Sequence, residues 1–237
     1  MRWTGSRSAW QQATVHAGSA GAPGVYRRWC RAPSLRGSPA SIPSVNERRP
    51  GSQIPEAIRT LLAELGEDPA RPGLVGTPER VRRMYAELTE GYAADPEALL
   101  NGAAFDVDYD EMVVVRDIEF YSLCEHHLLP FFGRAHVGYL PRGRVIGLSK
   151  IPRIVDMFAH RLQVQERMTQ QVATFLMDRL NPKGVGCVVE ATHLCTVMRG
   201  VRKQEATMVT SAMLGTFRAD ARTRSEFLTF IGRTSER

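Results

Sequence analysis

Across residues 112–217 the chain changes its hydrophobic period twice, and that pattern limits the folds open to it. Met112-Val113-Val114-Val115 is rich in β-branched residues and reads as a strand running towards Tyr121. Residues 133–140 read as a second strand, closed by Pro141-Arg142-Gly143. Helical spacing then takes over, first at Ile151, Ile154, Val155 and Phe158, then at Val164, Met168, Val172, Phe175, Leu176 and Leu180. Asn181-Pro182-Lys183-Gly184 breaks the second of these helices, and two more strands are predicted around residues 185–192 and 208–217. A last short helix is predicted from Thr223, with Glu226 three residues on as a capping box. The order strand, strand, helix, helix, strand, strand defines an α+β unit: an antiparallel four-stranded sheet with two helices on one face. Its outer strands would present unpaired backbone edges, which proteins cover or pair, so a symmetric homo-oligomer is expected.

Two helices precede this unit. Ile54, Ile58, Leu61, Leu62 and Leu65 recur at helical spacing, with Gly66 as a stop. Thr77-Pro78-Glu79-Arg80 opens the next, Thr77 serving as N-cap and Pro78 as the first helical residue. Val81, Met84, Tyr85 and Leu88 are its predicted buried stripe, and Gly91 its predicted end.

Charge matters because a net +6 invites a nucleic-acid reading. Arg2, Arg7, Arg27, Arg28, Arg31 and Arg36 lie within residues 1–46, a stretch with no Lys, Asp or Glu. The chain has 31 basic and 25 acidic residues, so setting those six aside leaves a balanced body. A nucleic-acid-binding body would carry a basic face, and none is expected here. No apolar run approaches the roughly 18 residues that span a membrane.

The segment before the first helix lacks apolar periodicity and holds all three tryptophans, Trp3, Trp10 and Trp29. Three readings fit it: a disordered tail, an Arg- and Ser-rich organelle transit peptide, or a start codon set too far upstream. The last would need a non-Met start such as Val25 or Val45, since no methionine follows Met1 until Met84. Residues 1–52 are set apart on this basis from a domain at 53–237, itself divided into N-terminal helices at 53–105 and a catalytic unit at 106–237.

Two clusters carry the chemistry: Cys124-Glu125-His126-His127 and His193-Leu194-Cys195. Thiols beside imidazoles suit zinc, which takes sulfur and nitrogen donors in tetrahedral geometry. Cys124, His127 and Cys195 would make three ligands, leaving one position open and His126 and His193 nearby as proton carriers. Three ligands with an open position mark a catalytic site, where a structural site would close with four. The plainer alternative makes both cysteines small buried hydrophobes, and the spacing of a single Cys-x-x-His does not decide between them.

Further words do. Cys124-Glu125-His126-His127, Gly147-Leu148-Ser149-Lys150, Gln163-Val164-Gln165-Glu166-Arg167 and the run from His193 through Cys195, Arg199 and Gly200 resemble GTP cyclohydrolase I. The resemblance extends through Thr77-Pro78-Glu79-Arg80 and the ending Thr223-Arg224-Ser225-Glu226-Phe227-Leu228, covering about residues 53–233 in order. Thr196 stands where many members of that family have methionine. The resemblance implies a tunnelling fold assembled as a decamer of two stacked pentamers, with active sites between subunits. It also implies a cytoplasmic enzyme that binds one zinc per subunit and no nucleic acid or membrane. Its reaction would convert GTP and water to 7,8-dihydroneopterin triphosphate and formate, the first step of folate or pterin biosynthesis.

By the same resemblance Cys124, His127 and Cys195 hold the metal, and His126 and His193 transfer protons. Glu166, with Gln165 beside it, accepts the N1–H and N2–H edge of guanine. Lys150, Arg153 and Arg199 bind the triphosphate, with Arg80 a weaker match, and Ser149 contacts the ribose hydroxyls. Read without the resemblance, Ser149 is a helix N-cap and Glu166 a solvated charge on the long helix. Cys187 falls in a strand and reads as an inert core residue.

Three other classes are weighed. A metal-free relative or pterin-binding module would not need Cys124, His127 and Cys195. A nucleobase deaminase would need H-x-E and P-C-x-x-C, which do not occur. A structural zinc protein would have no use for the two spare histidines and the guanine-edge carboxylate.

Overall fold

The computed structural model describes residues 52–100 and 102–232. The leader expected over residues 1–52 therefore lies, but for Ser52, outside the described residues.

Helix α1 spans Ile54–Glu64 and ends where Gly66 takes φ +83°, a conformation glycine adopts without strain. Helix α2 spans Thr77–Leu88 and packs against α1. Its N-cap position is Gly76 and not Thr77, so the helix starts one residue earlier than Thr-Pro suggested. Gly91 does not end it either. The helix stops at Leu88, Thr89 Oγ1 donates back to Tyr85 O at 2.6 Å, and Gly91 sits buried in a 3₁₀ turn, Glu90–Tyr92. A Cβ at Gly91 would lie 2.4 Å from Met157 O. The glycine is needed there for close approach of two backbones.

The stripe expected on α2 is only half buried. Met84 is 43% exposed, and Leu61 and Leu65 on α1 are 52% and 70% exposed. The periodicity is real, yet this chain alone does not cover these faces.

After α3 (Pro96–Leu100), strand β1 (Ala104–Asp106) pairs antiparallel with β4 (Arg144–Ile146) in a small ribbon. The main sheet takes β2 (Val113–Cys124), β3 (Pro130–Leu140), β5 (Leu162–Gln163), β6 (Gly184–His193) and β7 (Met208–Gly215) in the order β5-β2-β3-β6-β7. The four long strands are antiparallel, as expected. The two-residue β5 adds a fifth that runs parallel to the end of β2, pairing Leu123 with Leu162 and Cys124 with Gln163. A strand of two residues between two helices has no period to read.

Helices α4 (Lys150–Ala159) and α5 (Gln165–Leu180) cover one face. Ile151, Ile154, Val155 and Phe158, then Met168, Val172 and Leu176, meet Phe120, Phe131, Val137, Tyr139, Val185 and Val189 in one core. Full burial of such a side chain is worth about 1.5–3 kcal/mol, so this layer fixes the sheet's inner face. Asn181 ends α5 in the left-handed conformation at φ 47°, within the Asn181-Pro182-Lys183-Gly184 stretch expected to break the helix.

Short helices α6 (Leu194–Val197) and α7 (Thr216–Ala219) follow β6 and β7, and α8 (Ala221–Gly232) closes the described chain. The last helix begins before Thr223. Asp220 accepts from Arg222 N at 2.9 Å and from Thr223 Oγ1 at 3.2 Å, so an aspartate caps where Thr223 was expected to. Phe217 and Phe227 pack on the opposite face of the sheet with Val188.

Candidate metal centre and active site

One end of the sheet gathers the chemistry because three strand termini meet there. β2 ends at Cys124, β3 starts at Pro130, and β6 ends at His193 opposite Phe131. Between β2 and β3 the chain turns tightly. Cys124 N donates to Leu129 O at 2.9 Å, Leu128 N to Cys124 O at 2.8 Å, and Leu128 takes φ 55°. This turn presents His126 and His127. Cys195 arrives from the other side on α6, immediately after β6.

The ligand atoms of Cys124, His127 and Cys195 lie within 4.8 Å of one another. Both neighbouring imidazoles approach the first thiol equally, with Nδ1 of His126 and of His127 each 3.9 Å from Cys124 Sγ. Only His127 belongs to the cluster that includes Cys195. Burial raises the Cys124 thiol above its ordinary value, and the adjacent Cys195 raises it further. Two thiolates side by side need a cation to be stable, and two sulfurs with one nitrogen are donors that zinc accepts. The residues present therefore fit a divalent metal. Cys187 does not join them: it is fully buried in β6, and burial pushes its thiol up to about 12.

His193 is held from two directions. Its ring stacks on Phe131 with centroids 4.6 Å apart and parallel planes. Its Nε2 lies 2.8 Å from Gln165 Oε1. Burial lowers its pKa, and the charge of Glu166 works against that. Glu166 itself stands exposed in the first turn of α5, where a carboxylate is favoured by the helix dipole.

Gln165, expected on the substrate edge beside Glu166, is completely buried. Its Nε2 faces Val189 O, Met208 O and Thr210 Oγ1 at 3.0–3.1 Å. The polar atoms of its side chain thus have partners within the chain, His193 among them.

Ser149 occupies the N-cap position of α4 but makes no capping bond with its side chain. Lys150 Nζ donates to Leu99 O at 2.7 Å, tying α4 to α3. Arg153 and Arg199 are exposed, the first on α4 and the second just beyond α6. Arg80 is also exposed and sits on α2, whose main packing partner is α1. Cations are therefore present at separate places on the surface.

Sequence reading gave no role to Glu125, Arg167, Phe131 or Thr210. Arg167 Nη2 pairs with Glu125 Oε2 and donates to Leu162 O at 3.1 Å, while its Nε donates to Gln163 Oε1 at 3.0 Å. Glu125 N donates to Gln163 O at 3.0 Å. The metal-bearing turn is thereby fastened to β5 and α5. Glu125 and Arg167 both fell inside quoted motifs, and opposite charges there were the available signal. Nothing in the sequence points to Phe131 or Thr210.

An α+β chain that gathers two thiols and one imidazole at a sheet end, with a second imidazole held beside them, has the donor set of an enzyme with a metal centre. The family model for GTP cyclohydrolase I matches residues 54–232. GTP cyclohydrolase 1 of Chlorobaculum tepidum is 59% identical over 177 residues, 75% of this chain and 79% of that protein. The enzyme of the same name from Leptospira biflexa is 59% identical over 174 residues, 73% of this chain and 95% of its own length. Among solved structures, the apo archaeosine synthase QueF-Like covers 46% of this chain and 97% of its own at 18% identity, with a TM-score of 0.37. The chain belongs to the GTP cyclohydrolase I family, and its activity is that of a GTP cyclohydrolase I.

Proposed function

We propose that the chain converts GTP and water to 7,8-dihydroneopterin triphosphate and formate, with zinc held by Cys124, His127 and Cys195. The observation that carries this reading is the convergence of those ligand atoms within 4.8 Å, with His193 two residues from Cys195. A bound zinc supplies Lewis acidity and activates water near neutral pH.

The chain's own residues supply the rest. Glu166 accepts hydrogen bonds from guanine N1–H and the N2 amine, a paired donor edge that a carboxylate meets with two oxygens. His126 and His193 move protons to and from the purine, a task suited to a side chain whose ordinary pKa is near 6.5. Arg153 and Arg199 bind the triphosphate through forked donors and Lys150 through a compact charge. Ser149, its hydroxyl unused by the helix, contacts the ribose.

Assembly belongs to the same reading. Exposed apolar residues on α1 and α2, and the outer edge of β7, support a homo-oligomer, proposed as two stacked pentamers. Arg80, remote in packing from the sheet, then serves a neighbouring subunit's pocket. The domain division at residues 53–105 and 106–237 follows the change from helices to sheet. Three free cysteines among the described residues suit a reducing cytoplasm.

The test is incubation of purified, zinc-loaded protein with GTP. Formate and an oxidised fluorescent pterin should appear in equal amounts. GTP consumption with phosphate release and no formate would refute the reading.

A further inference from the structure

We infer that Gln165 is a positioning residue that fixes the tautomer of His193, holding the proton on Nε2 and leaving Nδ1 as the nitrogen that exchanges a proton with substrate. The inference rests on the proposed proton-transfer role of His193 and replaces substrate contact as the task of Gln165.

The orientation of the Gln165 amide follows from what surrounds it. One end of the amide meets Val189 O and Met208 O, both at 3.0 Å. Backbone carbonyls only accept, so that end must be the NH₂ group. Flipping the amide would set its oxygen against two carbonyl oxygens in a site with no exposure, leaving several buried polar atoms unpaired.

Hydroxyls reinforce the choice. Thr169 Oγ1 donates to Gln165 O at 2.7 Å, which spends its single proton. Thr210 Oγ1, 2.6 Å from Thr169 Oγ1, must then be the donor of that pair. Thr210 Oγ1 then turns a lone pair to Gln165 Nε2 at 3.1 Å, one of three acceptors that share the two hydrogens of that NH₂ group. Gln165 Nε2, Thr210, Thr169 and the Gln165 carbonyl form a closed ring of bonds that all run one way.

With NH₂ committed, Oε1 is the atom that faces His193 Nε2 at 2.8 Å. An amide oxygen accepts only, so Nε2 must carry hydrogen. Neutral imidazole then bears its lone pair on Nδ1. The parallel stack on Phe131 fixes the plane of the ring. In turnover Nδ1 takes a proton from substrate or water and later returns it, while Oε1 holds the Nε2–H bond throughout.

The test uses the full-length, zinc-loaded chain. Nitrogen and carbon NMR of labelled histidine, with His193 assigned by His193→Ala, reads the tautomer directly. The Nε2–H form is expected, and the Nδ1–H form would overturn the inference. That measurement needs no variant at position 165, so it stands even if substitution there prevents folding. Gln165→Met should leave zinc content and KM for GTP near wild type while lowering kcat by about 10- to 10²-fold, the scale of a misplaced reacting group. The double variant with His193→Ala should be no slower than His193→Ala alone, because the glutamine acts through that ring. Losses that multiply in the double variant would mean that Gln165 is merely structural. Full activity of His193→Ala would refute the proton-transfer reading itself, a distinct outcome.

Discussion

The turn that carries His126 and His127 depends on a salt bridge one layer behind it. Arg167 spans Glu125, Leu162 O and Gln163 Oε1, so it ties the turn to two elements at once. Groups in that outer position typically cost 10- to 100-fold in metal affinity when removed. Arg167→Leu should loosen zinc by that amount in a chelator competition; unchanged affinity would show that the bridge only decorates the surface. Glu166 makes a different prediction because its proposed task lies at the substrate and not at the metal. Glu166→Gln should retain zinc and lower kcat/KM for GTP, by an energy of about 1–3 kcal/mol for one mismatched donor. Wild-type kcat/KM would reduce Glu166 to a solvated charge. The ligand candidates were legible in the sequence because Cys124, His126 and His127 are nearly contiguous and Cys195 lies two residues from His193. The burial of Gln165 was not, since it depends on β6, β7 and α5 meeting around one amide.

At the scale of elements, α7 and α8 pack closely on bare backbone. Gly138 and Gly186 are directly paired across β3 and β6. A Cβ at Gly138 would stand 2.8 Å from the Phe227 ring, and one at Gly186 would stand 2.6 Å from Phe217. Gly186→Ala should therefore force both rings outward and cost about 1–3 kcal/mol, the usual range for overpacking. A lowered Tm with unchanged zinc content is the expected result; an unaltered Tm would mean that the rings move freely. The long elements were readable because their periods are strong: the apolar positions of α4 and the break at Asn181 fell where spacing put them. What failed were short-range signals overridden by tertiary contacts. Gly91 looked like a helix stop but serves close packing on Met157 and His160. Thr223 looked like a cap, although Asp220 does that work.

At the scale of the molecule, apolar faces on α1 and α2 and an open strand edge are the surfaces that the proposed homo-oligomer would cover. Residues 1–46, which precede the family match at residue 54, should be dispensable for it. Deleting them should leave assembly mass and GTP turnover unchanged, and an inactive or insoluble truncation would show that they belong to the working enzyme. The central claim, that Cys124, His127 and Cys195 hold zinc while His126 stays free to move protons, is tested most directly by metal analysis of two neighbouring variants. Wild-type protein should carry about one zinc per chain, as a site with three protein ligands does. His127→Ala should lose the metal, whereas His126→Ala should keep it and lose turnover by on the order of 10²–10⁴-fold. Zinc retained in His127→Ala and lost from His126→Ala would contradict the ligand assignment and move the metal to His126.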